Sequence, residues 1–390
     1  MFNITNSTKN SSVLYVVTGA IKQYVEPEGS KYFRWFCFTV FSLAAVIGNS
    51  IVIHSILSIR VRRPLAYKLV TNVAVAELLG VIFLPLIFIY DEVYSWPFES
   101  LLCHLASPIQ ISSCLVITWS LAFISLHRFR MLKNRRLRGM NELRYQFGIG
   151  SLWASAVIIS FPSFLYSTVV KNPYDGIHSW CVVLFPGDTL NTFPSPVYRR
   201  YLMVRFVINF LVPILIMVLA YGAMGIKLKC HMAKKRLRNR GLPSIEVTTD
   251  EGYCLKESKS GSSTQGEEKE MSWSRTLSPD SLTQSERNKK LQIKLERDLL
   301  RMIYAIILVF VVCYFPYQVL FLLEYFDVVT YKNWRYFHIT RKYVFLNTCL
   351  QSVLHPLCYG TMSKFFAKAF SGIVLCRWVR RGKAGLYAKP

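Results

Sequence analysis

Charged side chains are scarce in this sequence, and acidic ones are the scarcest. Only 18% of the 390 residues are charged, whereas an average soluble domain carries about 25%. Lysine and arginine number 47, aspartate and glutamate number 22, and the formal net charge is +25. A chain with 52% hydrophobic residues and a mean hydropathy of +0.30 has more apolar surface than a water-soluble core can bury. The composition therefore indicates a membrane protein.

Several chemical signatures are also missing. The sequence shows no cluster of metal ligands, no glycine loop that could cradle phosphate and no nucleophile constellation, so we expect neither an enzyme nor a bound cofactor or metal. Basic residues interrupt apolar runs instead of forming a solvated face, so nucleic acid is not an expected partner. The opening residues lack the basic start and apolar core of a cleavable signal peptide, and we expect the first transmembrane helix to direct targeting.

Seven segments with few or no charges are each about long enough to cross a bilayer. They lie near 35–59, 69–90, 105–126, 145–170, 206–226, 302–323 and 343–363. The connections at 60–68 and 127–144 are rich in Lys and Arg, whereas 91–102 has neither. By the positive-inside rule, the N-terminus is outside and the C-terminus inside. The sequence thus predicts an all-α membrane protein with a seven-helix transmembrane bundle over 32–376.

The third segment reaches both aqueous phases. Cys103 and Arg128 lie 25 residues apart, which spans about 37 Å of helix and exceeds the apolar thickness of a bilayer. Of the ten cysteines, only Cys103 and Cys181 are predicted on the outer side, where a disulfide can persist. The tail at 1–31 holds three glycosylation sequons, at Asn3, Asn6 and Asn10, which agrees with an extracellular position.

The remaining parts are predicted on the cytoplasmic side. Residues 229–297 have basic ends and a middle rich in Ser, Gly and Glu, which predicts a disordered third cytoplasmic loop whose ends extend helices five and six. Residues 363–376 place their apolar side chains on one stripe, which predicts a short amphipathic helix at the inner interface. Cys376 is a candidate for palmitoylation or a free thiol, and 377–390 form a cytoplasmic tail.

Landmark residues recur within the seven segments in a fixed order. They are Gly48 and Asn49; Asn72; Trp96; Cys103 and Arg128; Trp153 and Pro162; Pro213 and Tyr221; Phe310, Cys313, Tyr314 and Pro316; and His355, Pro356 and Tyr359. In this arrangement the chain resembles rhodopsin-like (class A) G-protein-coupled receptors, and neuropeptide receptors most of all. The resemblance implies a multi-pass plasma-membrane receptor with an extracellular peptide ligand. It also implies heterotrimeric G proteins, arrestin, receptor kinases and membrane lipid as partners.

The resemblance assigns a gate for the G protein to the cytoplasmic end of helix three. Glu296 lies 20 residues before Pro316, about 30 Å along helix six, so it should reach the depth of Arg128. A pair between Arg128 and Glu296 would hold helices three and six together. The other switch residues that the resemblance implies are His127, Tyr221, Phe310, His355, Pro356 and Tyr359.

Four positions depart from the family pattern. His127 replaces the usual Asp before the arginine, Glu77 the Asp of helix two, Tyr314 the Trp of helix six and His355 the Asn or Asp of helix seven. A histidine cannot restrain Arg128 as a carboxylate does, which predicts a looser inactive state with raised basal activity. For Glu77 as a buried acidic site, a structural or proton-linked role with His355 and an ion site both stay open.

The ligand pocket is expected in the outer half of the bundle. Gln110 stands where amine receptors carry Asp, and Cys349 stands where opsins carry the retinal lysine, so neither type of receptor is expected. Arg205 and Asn209 lie four apart and share a face of helix five. Arg205 would meet a ligand carboxylate or Glu324, or reach up to the outer water. The further predicted pocket residues are Cys114, Tyr314, Tyr317, Gln318, Phe321, Glu324 and Phe345.

Charges of both signs are predicted at the mouth of this pocket, a mixture that suits a peptide: Asp91, Glu92, Glu99 and Asp327, with Arg199, Arg200, Arg341 and Lys342. Alternatives within the receptor class are a lipid or small-molecule ligand and an atypical receptor with weak G-protein coupling. A transporter or channel is the alternative from another class. It would need inverted repeats and several intramembrane charges, and the sequence shows neither.

Overall fold

The computed structural model describes residues 24–58, 65–133, 142–171, 176–189, 194–239, 284–362, 366–367 and 370–372. The sequons at Asn3, Asn6 and Asn10, Cys376 and the tail at 377–390 lie outside this part of the chain. The backbone is described for 228–239 and 284–300, but their side chains are not.

Seven helices follow the seven predicted segments. Their bounds are Glu28–Leu57, Leu65–Val93, Ser100–Lys133, Glu142–Tyr166, Pro196–Asn239, Gln284–Tyr325 and Phe337–Met362. The fifth consists of Pro196–Phe206, a π segment at Val207–Leu211 and Val212–Asn239. Six of the seven are long and apolar enough to cross a membrane. The seventh is interrupted by polar residues, among them Lys342 and His355, both buried inside the bundle.

Several helices begin or end outside the predicted apolar segments; the fifth, for example, begins at Pro196 rather than near residue 206. The first helix begins at Glu28 rather than near residue 35, because the charge of Arg34 is neutralised by Glu26 and Glu92 and so does not keep the helix end in water. The fourth helix ends at Tyr166 rather than near residue 170, because Ser167–Lys171 form a strand.

The predicted third cytoplasmic loop is helical at both ends. The fifth helix continues to Asn239 and the sixth begins at Gln284, which confirms the predicted extensions. Residues 240–283 lie outside the described part of the chain. The predicted amphipathic helix at 363–376 is described only at 366–367 and 370–372, which are helical. Phe366 is fully buried there, with its ring 5.7 Å from that of Tyr359.

The third helix forms the centre of the bundle. It contacts the second, fourth, fifth and sixth helices, while the first helix packs between the second and the seventh. Of its apolar stretch, 67% is buried, against 22–39% for the other five helices of membrane-spanning length. The core accordingly contains Leu115, Leu121 and Ile124 from the third helix. Residues of the third helix can therefore transmit a displacement to most of the bundle.

Two buried amides connect the helices across this core. Asn72 Nδ2 donates to Ser120 Oγ at 2.8 Å, and Trp153 Nε1 donates to Asn72 Oδ1 at 2.9 Å, which joins the second, third and fourth helices. Asn49 Nδ2 donates to the Ser352 carbonyl at 3.1 Å and ties the first helix to the seventh. Buried polar groups without partners are costly, so these bonds fix the rotation of each helix.

Proline and glycine set the shape of two helices. Pro213 has no amide hydrogen to donate to the turn before it, and the π segment Val207–Leu211 lies directly ahead. Trp119 Nε1 donates to the carbonyl of Ile208 in this segment at 3.1 Å. At Gly48, a Cβ would lie 2.8 Å from Pro356 Cβ, so the first and seventh helices approach there only because the residue is glycine.

A β-hairpin, not expected from the sequence, covers the outer end of the bundle. Strand β1, Ser167–Lys171, pairs antiparallel with β2, Ser179–Val183. The disulfide between Cys103 and Cys181 is present, as predicted, with Cα atoms 5.7 Å apart. The Trp96 amide donates to the Ser179 carbonyl at 2.7 Å. The hairpin is therefore attached to the top of the third helix and to the first outer loop.

Candidate functional site

A cavity of about 100 Å³ lies inside the bundle between the second, third, sixth and seventh helices. Its walls combine three predicted ligand residues with the predicted switch residue Phe310 and the predicted buried acid Glu77. The three ligand residues are Gln110, Cys114 and Tyr314, and Ser352 also lines the cavity. The floor of the candidate ligand site and the environment of Glu77 are therefore parts of one space. The sequence placed these residues on separate helices but could not show that they share a cavity.

Two side chains of the third helix bridge to its neighbours in this cavity. Gln110 Nε2 donates to the Gly80 carbonyl at 2.5 Å, so the amide is held against the second helix. The Cys114 thiol donates to the Tyr314 hydroxyl at 3.0 Å, which connects the third helix to the sixth. Tyr314 occupies the place where the family pattern has Trp. Its hydroxyl accepts a hydrogen bond from Cys114, whereas an indole N–H can only donate.

Aromatic rings extend from Tyr314 along the fifth and sixth helices. The Tyr314 ring lies 5.4 Å from Phe310, 5.9 Å from Phe210 and 6.0 Å from Tyr317. One turn further out, Phe321 lies 5.8 Å from Phe206. A displacement of Tyr314 must therefore move rings on both helices, because packed aromatic rings leave little free volume. Gln318 is buried in the same stretch.

Arg205 and Asn209 are the polar residues of the fifth helix in its outer half. The Arg205 guanidinium carbon lies 5.6 Å from the centre of the Tyr201 ring. Arg205 Nε and Asn209 Oδ1 are both buried and lack hydrogen-bond partners within the described residues. The expected contact between Arg205 and Glu324 is not made. Glu324 instead faces Arg341, with 3.7 Å between Oε1 and Nη1.

The charges predicted at the mouth are largely paired with one another. Arg199 Nη2 lies 2.8 Å from Asp327 Oδ2 and 3.1 Å from the Tyr325 carbonyl, which joins the start of the fifth helix to the end of the sixth. Lys342 Nζ lies 3.3 Å from Glu92 Oε2, and both side chains are buried. Glu92 and Lys342 therefore bind each other in this arrangement, while the mixture of charges at the mouth stays a prediction about the ligand.

Sequence reasoning missed a buried ion network at the outer end of the first helix. Arg34 is fully buried and pairs with Glu26, and its Nε and Nη2 donate to the two oxygens of Glu92, each at 2.7 Å. The Ser30 hydroxyl lies 2.7 Å from the Tyr343 hydroxyl of the seventh helix. Arginine in an otherwise apolar helix, eight residues after a glutamate, is the sequence signal that could have indicated this network.

Glu77 and His355 form a buried pair below the cavity. Glu77 Oε1 lies 2.8 Å from His355 Nδ1, and the Ser352 hydroxyl donates to Glu77 Oε2. The side chains are 1% and 0% exposed. His355 Nε2 is buried and has no hydrogen-bond partner among the described residues. Both oxygens of the carboxylate are thus engaged by the seventh helix, which links it to the second.

At the end of the bundle opposite the hairpin lie the predicted gate residue Arg128 and some of the predicted switch residues. Arg128 is buried, and His127 beside it is half-buried. The Tyr221 ring of the fifth helix lies 6.2 Å from Tyr304 of the sixth, and Tyr359 of the seventh is fully buried. The side chain of Glu296 lies outside the described residues, so its pairing with Arg128 stays a prediction.

Phe345 does not join the other predicted pocket residues. It packs against a cluster formed by Phe38, Phe88, Leu346 and Cys349, between the first, second and seventh helices. The remaining predicted pocket residues lie on the third, fifth and sixth helices. The sequence placed Phe345 on the outer part of the seventh helix correctly, but helix rotation decides which neighbour it faces.

Comparison with known proteins adds a family to this geometry. The family described as "7 transmembrane receptor (rhodopsin family)" matches residues 48–359. The chain is 21% identical over 360 residues to the tachykinin-like peptides receptor 86C of Drosophila melanogaster, covering 91% of this chain and 61% of that protein. It is 27% identical over 228 residues to the substance-K receptor of Canis lupus familiaris, covering 58% and 56%.

A third relative is the neuropeptide Y receptor type 1 of Xenopus laevis, 29% identical over 184 residues, which are 47% of this chain and 50% of that protein. The chain thus spans 50% to 61% of the length of these three relatives. The family match includes the third helix, the cavity and the seventh helix to Tyr359.

Proposed function

The chain belongs to the rhodopsin family of seven-transmembrane receptors, and on this basis we propose that it binds an extracellular peptide and activates heterotrimeric G proteins. It is a multi-pass membrane protein. We further propose that it acts in the plasma membrane with its N-terminus outside. The Cys103–Cys181 disulfide supports this orientation, because disulfides persist in oxidising compartments and this one lies at the outer hairpin.

The observation that carries the proposal is the order of three features along the bundle axis. A disulfide-anchored hairpin covers the outer end, a polar cavity lies beneath it, and Arg128 is buried at the inner end. Ligand recognition and the gate are therefore separated by the length of the third helix. Relatives named for tachykinin-like peptides, substance K and neuropeptide Y favour a peptide as the ligand.

Signalling in this proposal is a shift between two populations of the receptor. A ligand can move the equilibrium only by the difference between its affinities for the closed and open forms. The Cys114–Tyr314 hydrogen bond and the aromatic rings around Tyr314 connect the ligand cavity to the sixth helix. Outward movement of the sixth helix would separate Glu296 from Arg128 and expose a cytoplasmic surface for the G protein, and later for receptor kinases and arrestin.

The experiment that tests the proposal is a peptide-library screen in cells that express the receptor with several promiscuous G proteins. G-protein activation and arrestin recruitment are recorded in parallel, and surface expression is measured for each variant. We expect some peptides to activate both readouts in the wild type. Gln110→Ala should lower their potency, because Gln110 lines the cavity. Peptide-independent flux of solute without G protein would instead indicate a transporter.

His127 favours a second candidate, an atypical receptor with weak G-protein coupling. His127 is half-buried next to Arg128, where the family pattern has a carboxylate. If peptides recruit arrestin in the screen but activate none of the G proteins, this second candidate replaces the first. If lipids or other small molecules activate the receptor and no peptide does, the peptide assignment is wrong.

A further inference from the structure

We propose that Arg205 is a subsite for an anion, and that the group it binds is a carboxylate of the peptide ligand. This inference rests on the proposed peptide-receptor function and specifies the chemistry that the ligand must present. It differs from the expectation of a mixed-charge mouth, because it places ligand charge recognition at one residue within the fifth helix.

Several cations at this end of the bundle, among them Arg200, Lys332 and Arg335, are exposed to water. Four others already have carboxylate partners in the protein. The pairs are Arg34 with Glu26 and Glu92, Lys342 with Glu92, Arg199 with Asp327, and Arg341 with Glu324. A ligand carboxylate that approached one of these cations would have to compete with an acid already in place.

Arg205 differs from these cations. Within the described residues, its guanidinium makes no hydrogen bond and no ion pair, and its Nε is buried without a partner. Its one close interaction is with the Tyr201 ring at 5.6 Å. An unpaired cation in a membrane-spanning helix is costly and calls for a partner, since arginine presents five donors in a planar fork. The free protein supplies only an aromatic face.

Arg205 lies near the candidate cavity, although it is not one of its wall residues. It is close enough for its charge to act on Cys114 and Tyr314, which line the cavity, and on Tyr198. Four residues further in, Asn209 Oδ1 is also buried without a partner among the described residues. Arg205 thus offers hydrogen-bond donors, and Asn209 offers an acceptor. A peptide carboxylate with a nearby N–H matches this pair.

The chemistry of the cavity argues against a cationic ligand group at the same depth. Its one acidic side chain, Glu77, already accepts from Ser352 and lies 2.8 Å from His355. Gln110 Nε2 donates to Gly80, and no other carboxylate lines the described cavity. A ligand amine would therefore meet Arg205 without an acidic partner, whereas a carboxylate would form a bidentate, charge-assisted pair.

The first test uses a synthetic peptide library in two matched forms, free acids and C-terminal amides, each screened for G-protein activation. Active peptides with acidic side chains are also remade with Asn or Gln at those positions, which separates a C-terminal carboxylate from a side-chain one. The receptors are the wild type, Arg205→Gln, Arg205→Lys and the control Lys31→Gln. Lys31 is a cation of the first helix outside the predicted pocket, with 42% of its side chain exposed.

We expect one carboxylate to be required. Its removal from the peptide should lower potency at the wild type about 100-fold, the scale of a buried charge-assisted pair. Arg205→Gln should lower the potency of the acid to a similar extent and leave the neutral peptide unaffected. Arg205→Lys should retain part of the potency, and Lys31→Gln should match the wild type. Equal potency of acid and neutral peptides, or an equal loss for both at Arg205→Gln, would overturn the anion subsite alone.

A second test requires no ligand. The melting temperature of the purified receptor in lipid nanodiscs is compared for the wild type, Arg205→Met and Arg200→Met. A half-buried cation without an acidic partner destabilises the free protein, so Arg205→Met should raise the melting temperature, while Arg200→Met at an exposed position of the same helix leaves it unchanged. A lower melting temperature for Arg205→Met would show a structural partner and overturn the subsite. If neither acids nor amides activate a well-expressed wild type, the peptide-receptor proposal itself fails.

Discussion

At the scale of single residues, buried polar groups make the chain specific. Glu77 and His355 are 278 positions apart in sequence and 2.8 Å apart in space. The second oxygen of Glu77 accepts from Ser352, so the seventh helix satisfies both oxygens of an acid on the second. This arrangement supports the structural or proton-linked alternative for Glu77 over an ion site, because a cation would have to displace His355 from the carboxylate.

The coupling of this pair can be measured. Glu77→Leu and His355→Leu should each destabilise the purified receptor by about 3–5 kcal/mol, because each leaves a buried polar partner uncompensated. The double variant should cost clearly less than the sum of the two single variants. Thermal or denaturant unfolding of the four proteins checks this. Ser352→Ala serves as the control, with an expected loss of about 1–3 kcal/mol. Strictly additive losses would show that the two side chains act independently.

His127 leads to a second prediction at the residue scale. The wild type should show basal G-protein activation, because no carboxylate precedes Arg128 to restrain it. His127→Asp should lower basal activation several-fold by pairing with the neighbouring guanidinium. His127→Ala removes the ring without adding a charge and should retain the wild-type basal level. Basal signalling that is equal in all three receptors, at equal surface expression, would contradict this account.

At the scale of elements, each helix is fixed by a contact that its own sequence does not reveal. The first helix approaches the seventh where Gly48 meets Pro356, and it begins at Glu28 because Arg34 is neutralised. The π segment of the fifth helix accompanies Pro213. The segment before the first helix is held to the third outer loop, since the Tyr24 amide donates to the Arg335 carbonyl at 3.0 Å. Helix ends therefore depend on neighbouring elements.

The ion network at the end of the first helix provides a test of this dependence. Arg34→Met should lower the stability of the receptor by about 3–5 kcal/mol, because Glu26 loses its cationic partner and, among the described residues, Glu92 keeps Lys342 as its one cation. Surface expression and the unfolding midpoint should both fall. The matched control is Lys31→Met in the same helix. Lys31 pairs with Glu28 in water, with 42% of its side chain exposed, and its loss should cost at most about 1 kcal/mol. Equal effects of the two variants would show that burial of Arg34 is unimportant.

At the scale of the whole molecule, the bundle has an outer end held by a covalent bond and an inner end held by non-covalent contacts. The hairpin β1–β2 is attached through Cys181 to the top of the third helix, and the third helix contacts four others. The inner ends of the fifth and sixth helices continue to Asn239 and from Gln284. A molecule built in this way can move its inner end while the outer hairpin stays attached.

Loss of either cysteine of the disulfide should have the same effect as loss of both. Cys103→Ser, Cys181→Ser and the double variant should lower stability and peptide potency to the same extent, by about 2–5 kcal/mol in stability. A matched control is Cys37→Ser, because Cys37 is a half-buried free cysteine of the first helix. Surface expression and unfolding midpoint are compared for all four variants. A double variant that is clearly worse than either single variant would mean that the two sulfurs also act separately.

Part of the candidate site could be predicted from the sequence. The spacing of Gln110, Cys114 and Arg128 on one helix follows from helical geometry, and only two cysteines were expected outside. The pairing of the mouth charges was not predictable in the same way. Glu92 pairs with Arg34 across 58 positions and with Lys342 across 250. Such contacts depend on helix rotation and tilt, which packing decides.

Seven membrane-length segments and the Cys103–Cys181 pair could be predicted from the sequence, because hydrophobic length and the separation of landmark residues are local properties of a chain. The pairing of charges, the contact of Glu77 with His355 and the lack of an acidic partner for Arg205 among the described residues became visible in the folded bundle. Ionic contacts are short, about 3–4 Å, whereas the approach of distant helices is set by the packing of the whole core.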